Sequence, residues 1–282
     1  MAEILKGAPA AKAIIEDLIP RVEKLTAAGV VPTLAIVRLG EEGSQLSYQR
    51  NATRKCESIG ARVLSFDLPE SSSQEELLAL IESINTRRDI HGCLILRPLP
   101  GHIDERAVCE ALAPEKDLDC ATALSLAAVF SGRGAGYPPC TAQACLEMLD
   151  HYQVDVAGKH VVVVGRSLVV GRPVSLLLQA RNATVTMCHS RTQDLASFTR
   201  NADILVAAVG RPNFITGGMV KPGAAVIDVG INRLPDGTLA GDCDFATVSE
   251  VAGYLTPVPG GVGPMTVAML MKNAIIAAEN AE

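Results

Sequence analysis

A valine run ending in glycine, VVVVG (161–165), is followed by RSLVVGRP, so Gly165, Arg166 and Ser167 form a turn and Gly171 opens or precedes a helix. The chemistry available to such a turn is phosphate binding. Glycines let the backbone approach a pyrophosphate, and a helix N-terminus adds amide N–H groups and a favourable dipole. The spacing is not G-x-G-x-x-G, and a plain strand-to-helix turn is the competing reading. The next apolar run ends in MCHSRT, which places His189, Ser190, Arg191 and Thr192 where dinucleotide folds carry an acid for the ribose hydroxyls. With no acid there, Ser190 and Arg191 suit a ribose 2′-phosphate, which favours NADP and leaves NAD as the alternative.

A second stretch, SYQRNATRKCES (47–58), reads as one helix with Tyr48 near its start. If that helix lines an active site, the place for a catalytic group is one turn after the tyrosine, and that place holds Ala52. No cysteine pair has C-x-x-C spacing and the five histidines are dispersed, so no metal site is expected.

These residues need elements to hold them. Residues 8–28 read as an amphipathic helix, 32–40 as a short buried strand, and ARVLSFDLP as another strand. SSSQEELLALIESINTR opens with a capping box at Ser73 and Glu76, and HGCLILRPLP (91–100) is a further buried strand. After a Pro-containing loop and a helix over 137–153, a second series begins, with strands at 160–165, 183–188, 202–210 and 224–230. VAMLMKNAIIAAENAE closes the chain as a helix. The alternation predicts an α/β protein of two doubly wound units, the second of nucleotide-binding type.

Composition narrows the partners. The chain has 282 residues, 48% hydrophobic and 20% charged, enough for two moderate cores. A net charge of −6, no Trp and 3% aromatics argue against nucleic acid. No apolar run approaches the ~20 residues that span a bilayer, and LSLAAVF (124–130) fits a buried strand or helix. MAEILKGAPAAKAIIEDLIPRVEKL lacks the marks of a signal peptide, so the eight cysteines are expected as reduced core thiols of a cytoplasmic protein.

VVVVGRSLVVGRP, ATVTMCHSRT, VKPGAAVIDVGIN and TPVPGGVGPMT closely resemble the methylenetetrahydrofolate dehydrogenase/cyclohydrolase family of FolD type. VRLGEEGSQLSY, GCLILRPLP, PEKDLD and PCT fall in the family's order, and the resemblance runs from residue 4 to 280. It implies a homodimer that uses NAD(P) to oxidise 5,10-methylenetetrahydrofolate and, in most members, hydrolyses the methenyl product. It also implies a folate domain over 1–145 plus 265–282 and a Rossmann-like domain over 146–264. By position, Gly165, Arg166, Ser167, Ser190 and Ile231 match dinucleotide contacts, with Gly171 and Arg191 beside them. Tyr48 matches the tyrosine stacked on the folate ring, and Asp119 the carboxylate that meets the pterin N–H groups as a two-oxygen acceptor. Pro259, Gly260 and Gly261 match the loop that closes over the reacting parts.

The chain departs from the family in its first half. Ala52 stands at the family's lysine and Leu96 at the glutamine that positions it, while Gly40, Ser44, Tyr48, Cys56 and Gly60 keep register. Either partner alone would leave a polar group unsatisfied, at ~1–3 kcal/mol, so the two changes read as one. Hydrolysis needs an activated water and moving protons, which a lysine of lowered pKa suits. Hydride transfer needs mainly alignment at ~3–3.5 Å. The expectation is a dehydrogenase whose cyclohydrolase is lost or severely reduced, with a separate cyclohydrolase in the same cell. The alternative within the family is a bifunctional enzyme using ordered water or Lys55, which lies at i+7 from Tyr48 and i+3 from Ala52, about 4.5 Å beyond it along the helix. A catalytically silent dinucleotide- or folate-binding regulator is the reading from another class. Cys120, Ser125, Ala142 and Ala144 are further departures that bear on substrate identity.

Overall fold

The computed structural model describes residues 1–281. From the N-terminus the elements are β1 (Glu3–Ile4), α1 (Gly7–Ala27), β2 (Thr33–Leu39), α2 (Gly43–Ser58), β3 (Arg62–Leu68), α3 (Gln74–Thr86), β4 (Gly92–Ile95), α4 (Glu105–Glu110) and α5 (Ala123–Ser131). They continue as α6 (Cys140–His151), β5 (His160–Val164), α7 (Gly171–Ala180), β6 (Thr184–Cys188), α8 (Leu195–Thr199), β7 (Ile204–Ala207) and β8 (Ala225–Asp228). A hairpin of β9 (Asn232–Arg233) and β10 (Leu239–Ala240), then α9 (Phe245–Val251), β11 (Tyr254–Leu255) and α10 (Gly263–Asn280), complete the chain.

Two compact units result. The N-terminal unit comprises Ala13–Cys140 and the chain from Val267 on; the central unit comprises Met1–Lys12 and Thr141–Thr266. The sequence reading put residues 1–12 with the first half. They group with the central unit because Glu3 and Ile4 pair in parallel with Tyr254 and Leu255.

In the N-terminal unit the parallel sheet runs β3–β2–β4. TLAIVRL is buried at every position, as an interior parallel strand must be. α3 lays Leu77, Ile81 and Ile84, at i, i+4 and i+7, on a core that includes Ala35, Val37, Cys93 and Ile95. Each such aliphatic side chain contributes roughly 1.5–3 kcal/mol. The expected capping box is formed: Ser73 Oγ accepts from Glu76 N at 3.2 Å, and Glu76 Oε2 from Ser73 N at 2.9 Å. The other end of α3 is closed by Lys116, whose Nζ donates to the carbonyls of Ile84, Asn85 and Arg87 at 2.6, 2.9 and 2.7 Å.

LSLAAVF forms α5, but its large side chains are not buried. Leu124 is 64% and Phe130 76% exposed. The turn that starts the helix decides this. Thr122 Oγ1 accepts from Ser125 N at 3.0 Å and donates to Ser125 Oγ at 2.9 Å, so Ser125 takes the inward position.

The central unit's sheet runs β1–β11–β8–β7–β5–β6 with parallel pairing. The chain leaves β5 for β6 on one side and then returns to β7 on the other, so the order reverses at β5. A crevice therefore opens at the C-terminal ends of β5 and β7, where doubly wound folds hold ligands. Each of the eight cysteines is buried. Among the described residues no helix is long and apolar enough to cross a membrane.

Candidate active site

The strand reversal puts the GRS turn at the crevice. Gly165 has φ +135°, and a Cβ there would lie 2.2 Å from Ala208 O, so only glycine fits. A Cβ on Gly171 would lie 2.2 Å from the carbonyl oxygen of Gly165, which lets α7 start directly behind the turn. Ser167 Oγ accepts from Val170 N at 3.1 Å and Gly171 N at 3.4 Å. Ser167 thus caps the first turn of α7, while its hydroxyl proton stays available to an anion. Arg166, Ser190 and Arg191 are exposed. The turn after β6 is shaped by Thr192 Oγ1, which accepts from His189 N at 2.9 Å, and by His189 Nδ1, which accepts from Arg191 N at 3.1 Å.

Two buried carboxylates that the sequence reading missed hold the loops after β7 and β8. Asp242, 0% exposed, accepts from Val209 N and Gly210 N at 2.6 and 3.0 Å. It also accepts from Arg211 N at 2.9 Å and Asn232 Nδ2 at 2.9 Å. Asp228 accepts from Gly230 N, Asp242 N and Cys243 N at 3.0, 2.9 and 2.8 Å. Burial pushes the Asp228 carboxyl up to about 6, and nearby Asp242 adds to the rise, against the pull of those three amides. The signal for both lay in the strand-end motifs IDVG and GDCD, whose acids follow apolar runs.

The pinned loops present Ile231, which is 64% exposed. It lines a cavity of about 200 Å³ with Pro259, Gly260 and Gly261. Ile231 and the Pro259–Gly261 loop, matched separately to a dinucleotide contact and to the closing loop in the sequence analysis, share this cavity.

In the N-terminal unit, α2 is started by Glu42, whose carboxylate accepts from Ser44 N at 3.1 Å and Gln45 N at 2.9 Å. Its buried residues are Gln45, Gln49, Ala52 and Cys56. Gln49 is committed: its Oε1 accepts from Arg38 Nε at 2.7 Å and its Nε2 donates to Asp67 Oδ1 at 2.9 Å. Tyr48 and Lys55 are half-buried along one border of this face, about 20° apart around the helix and two turns apart along it. Burial lowers the Lys55 pKa, and Arg54 lowers it further. Ala52 is 0% and Leu96 7% exposed, so neither position offers a polar group.

The KDLD acids differ in occupation. Asp117 accepts from Ala121 N and Thr122 N, both at 2.8 Å, and so builds the loop. Half-buried Asp119 accepts from Cys140 N at 2.8 Å, and burial raises its pKa. Cys120 has φ +57°, a conformation that favours glycine and costs a side-chain-bearing residue on the order of 1–3 kcal/mol. Ala142 and Ala144 are fully buried. Among the described residues no group of three or more His, Cys, Asp or Glu could hold a metal ion.

Comparison with known proteins accounts for both halves. The family model for the tetrahydrofolate dehydrogenase/cyclohydrolase catalytic domain matches residues 5–119, and that for the NAD(P)-binding domain matches 139–282. The bifunctional protein FolD of Moorella thermoacetica is 48% identical over 277 residues, 98% of this chain and 99% of that one. Among solved structures, the bifunctional FolD dehydrogenase/cyclohydrolase of Campylobacter jejuni aligns with TM-score 0.96 at 38% identity, covering 99% of each chain. The Trypanosoma brucei FolD, solved with NADP and an inhibitor, aligns with TM-score 0.93 at 37% identity, covering 99% of this chain and 98% of that one. The chain belongs to the tetrahydrofolate dehydrogenase/cyclohydrolase family.

Proposed function

We propose that the protein is an NADP-linked 5,10-methylenetetrahydrofolate dehydrogenase with little or no methenyltetrahydrofolate cyclohydrolase activity. The central unit is read as the dinucleotide domain and the N-terminal unit as the folate domain. A dinucleotide suits the residues present. Gly165 allows close backbone approach at the crevice, and the exposed Ser190 and Arg191 offer a hydroxyl and a cation to a 2′-phosphate. NADP, when bound, supplies the hydride acceptor. The chain's own work is to hold and orient: Arg166 and Ser167 at the pyrophosphate, Ile231 and Pro259–Gly261 as the apolar wall, Tyr48 against the folate ring, and Asp119 at the pterin N–H groups.

The observation that carries the loss of hydrolysis is the buried face of α2. Hydrolysis needs a group that takes and returns protons, and the place one turn beyond Tyr48 is a fully buried alanine. A separate cyclohydrolase in the same cell, and a homodimeric assembly, accompany this reading.

A second reading keeps both activities. The relatives at this identity are named bifunctional, and Lys55 is half-buried with a lowered pKa on the border it shares with Tyr48. One set of assays separates the two. Reduction of NADP, and then of NAD, by methylenetetrahydrofolate tests the dehydrogenase. Decay of methenyltetrahydrofolate above its uncatalysed rate tests the hydrolysis. Fast enzyme-dependent decay that Lys55→Met abolishes establishes the second reading, and absence of reduction with either cofactor overturns both.

A further inference from the structure

The strand end GCLILRPLP carries one charged residue, Arg97. Its surroundings make it more than a surface cation. The segment around Asp117 runs alongside β4, with a parallel bridge between Cys93 and Asp117 and a bond from Leu118 N to Cys93 O at 3.4 Å. The Leu118 side chain fills the space over Gly92, where a Cβ would meet it at 2.4 Å. β4 and the KDLD loop are therefore locked side by side, and both chains then run on toward the same end, to Arg97 on one and Asp119 on the other. Arg97 is half-buried, and among the described residues its guanidinium makes no hydrogen bond or ion pair. Its charge favours the ionised forms of Asp119, Cys109 and Cys120, in keeping with that shared direction of the two segments.

We propose that Arg97 is a positioning residue for the folate, fixed beside Asp119 so that this carboxylate meets the ring as an ionised acceptor. This rests on Asp119 being the carboxylate that receives the pterin N–H groups. Two donors on the ring need two acceptor oxygens, and a protonated carboxyl loses one of them. Binding of a ring also strips water from the carboxylate, which favours protonation when it matters most. The groups facing Asp119 are few. Burial raises its pKa; the amide and thiol of Cys140 and the charge of Arg97 lower it; Asp117 raises it. Arginine remains charged throughout the working range, so it opposes protonation at every pH at which the protein is folded.

The test is equilibrium binding of tetrahydrofolate to the full-length protein with NADP present, by anaerobic calorimetry from pH 5 to 9. The proteins are the wild type, Arg97→Leu, Arg97→Lys, Asp119→Asn and the Arg97→Leu/Asp119→Asn pair. Arg97→Leu is expected to move the acid limb of affinity upward by about one pH unit, which is about tenfold weaker binding on that limb. Binding near pH 9 should stay close to wild type, and Arg97→Lys should restore most of the limb. In the Asp119→Asn background, Arg97→Leu should change nothing. An equal loss at all pH values, or the same shift without Asp119, overturns the proposal. If Asp119→Asn binds as the wild type does, the reading of Asp119 itself fails. If Asp119→Asn binds weakly while Arg97→Leu leaves the profile unmoved, only the role of Arg97 falls. NADP affinity reports the fold of each variant, and should Arg97→Leu lose it, Arg97→Gln, alone and paired with Asp119→Asn, replaces it under the same expectations: a raised acid limb that Asp119→Asn abolishes supports the proposal, and an unmoved limb overturns it.

Discussion

Each unit carries a pair of acids at the end of its sheet, and the pairs are used in opposite ways. In the central unit Asp228 and Asp242 are filled by the chain's own amides, with Asp242 alone taking Val209, Gly210 and Arg211. In the N-terminal unit Asp117 is filled by two amides, whereas Asp119 accepts one, from Cys140. A carboxylate saturated by backbone donors is a fastener, because its accepting capacity is used up. One that is partly filled and still half-exposed is a receptor. On the proposed function, the difference separates loops held in place for a dinucleotide from a group left open to a substrate.

The sharpest way to break this contrast is to remove a fastener. Asp242→Ala leaves the amides of Val209, Gly210 and Arg211 and the Asn232 side chain without their acceptor. We expect a loss of about 3–5 kcal/mol in urea unfolding, together with weakened NADP binding. Asp242→Asn keeps one acceptor oxygen and should lose less. A destabilisation below about 1 kcal/mol for the alanine variant would remove Asp242 from the fasteners.

Asp228 gives the next largest effect, in pH. Its carboxyl is raised from 3.8 to about 6 in the folded protein. The native state thus holds the proton more tightly than the unfolded chain, and stability falls as pH rises between those two values. The stabilisation is fully present below the unfolded pKa and gone above the folded one, on the order of 3 kcal/mol. Asp228→Asn should flatten that part of the profile in urea melts at pH 4.5, 5.5 and 7. Parallel profiles for the two proteins would show that Asp228 stays ionised throughout.

The legibility of these features in the sequence follows their range. Period and capping are local, so α3, its box at Ser73 and Glu76, and the valine strand leading to Gly165 could be read directly. The gathering of Ile231 with Pro259–Gly261 around one cavity was not read from the sequence, since no spacing rule joins these positions. What was hidden depended on nonlocal partners. Lys116, which no spacing in the sequence singles out, closes the C-terminus of α3, 29 to 32 residues away in sequence. Asp228 and Asp242 went unread because their donors are backbone amides, which are the same in every sequence. The run LSLAAVF misled for a related reason: hydrophobicity alone does not say which side faces in, and the Thr122–Ser125 turn does.

On the receptor side, Asp119→Asn should raise KM for methylenetetrahydrofolate by about 10–100-fold, the cost of about 1.5–3 kcal/mol for a charged hydrogen-bonding group. The Kd for NADP should not move. A change in NADP affinity as large as the change in KM would make Asp119 a structural acid like Asp117.

The smallest expected effect is also the most specific to this chain. We read Ala52, on the buried face of α2, and Leu96, just past the end of β4, as standing where the family resemblance implies a lysine and a glutamine. Restoring one without the other buries a polar group with no partner, at ~1–3 kcal/mol, so Ala52→Lys and Leu96→Gln alone should each lower the melting temperature. The double variant should recover part of that stability, because the two new groups satisfy one another. It should also speed methenyltetrahydrofolate decay about tenfold over the wild type, below the roughly 10²–10⁴-fold of a fully positioned acid–base group, because the neighbours of Ala52 and Leu96 are packed around apolar side chains. NADP-dependent dehydrogenation should change little. If the double variant is no faster than either single one, or if the wild type already hydrolyses at a rate that Lys55→Met removes, then the proposed loss of hydrolysis through Ala52 and Leu96 fails. The partly filled acid and the emptied lysine position would then belong to different functions of one site.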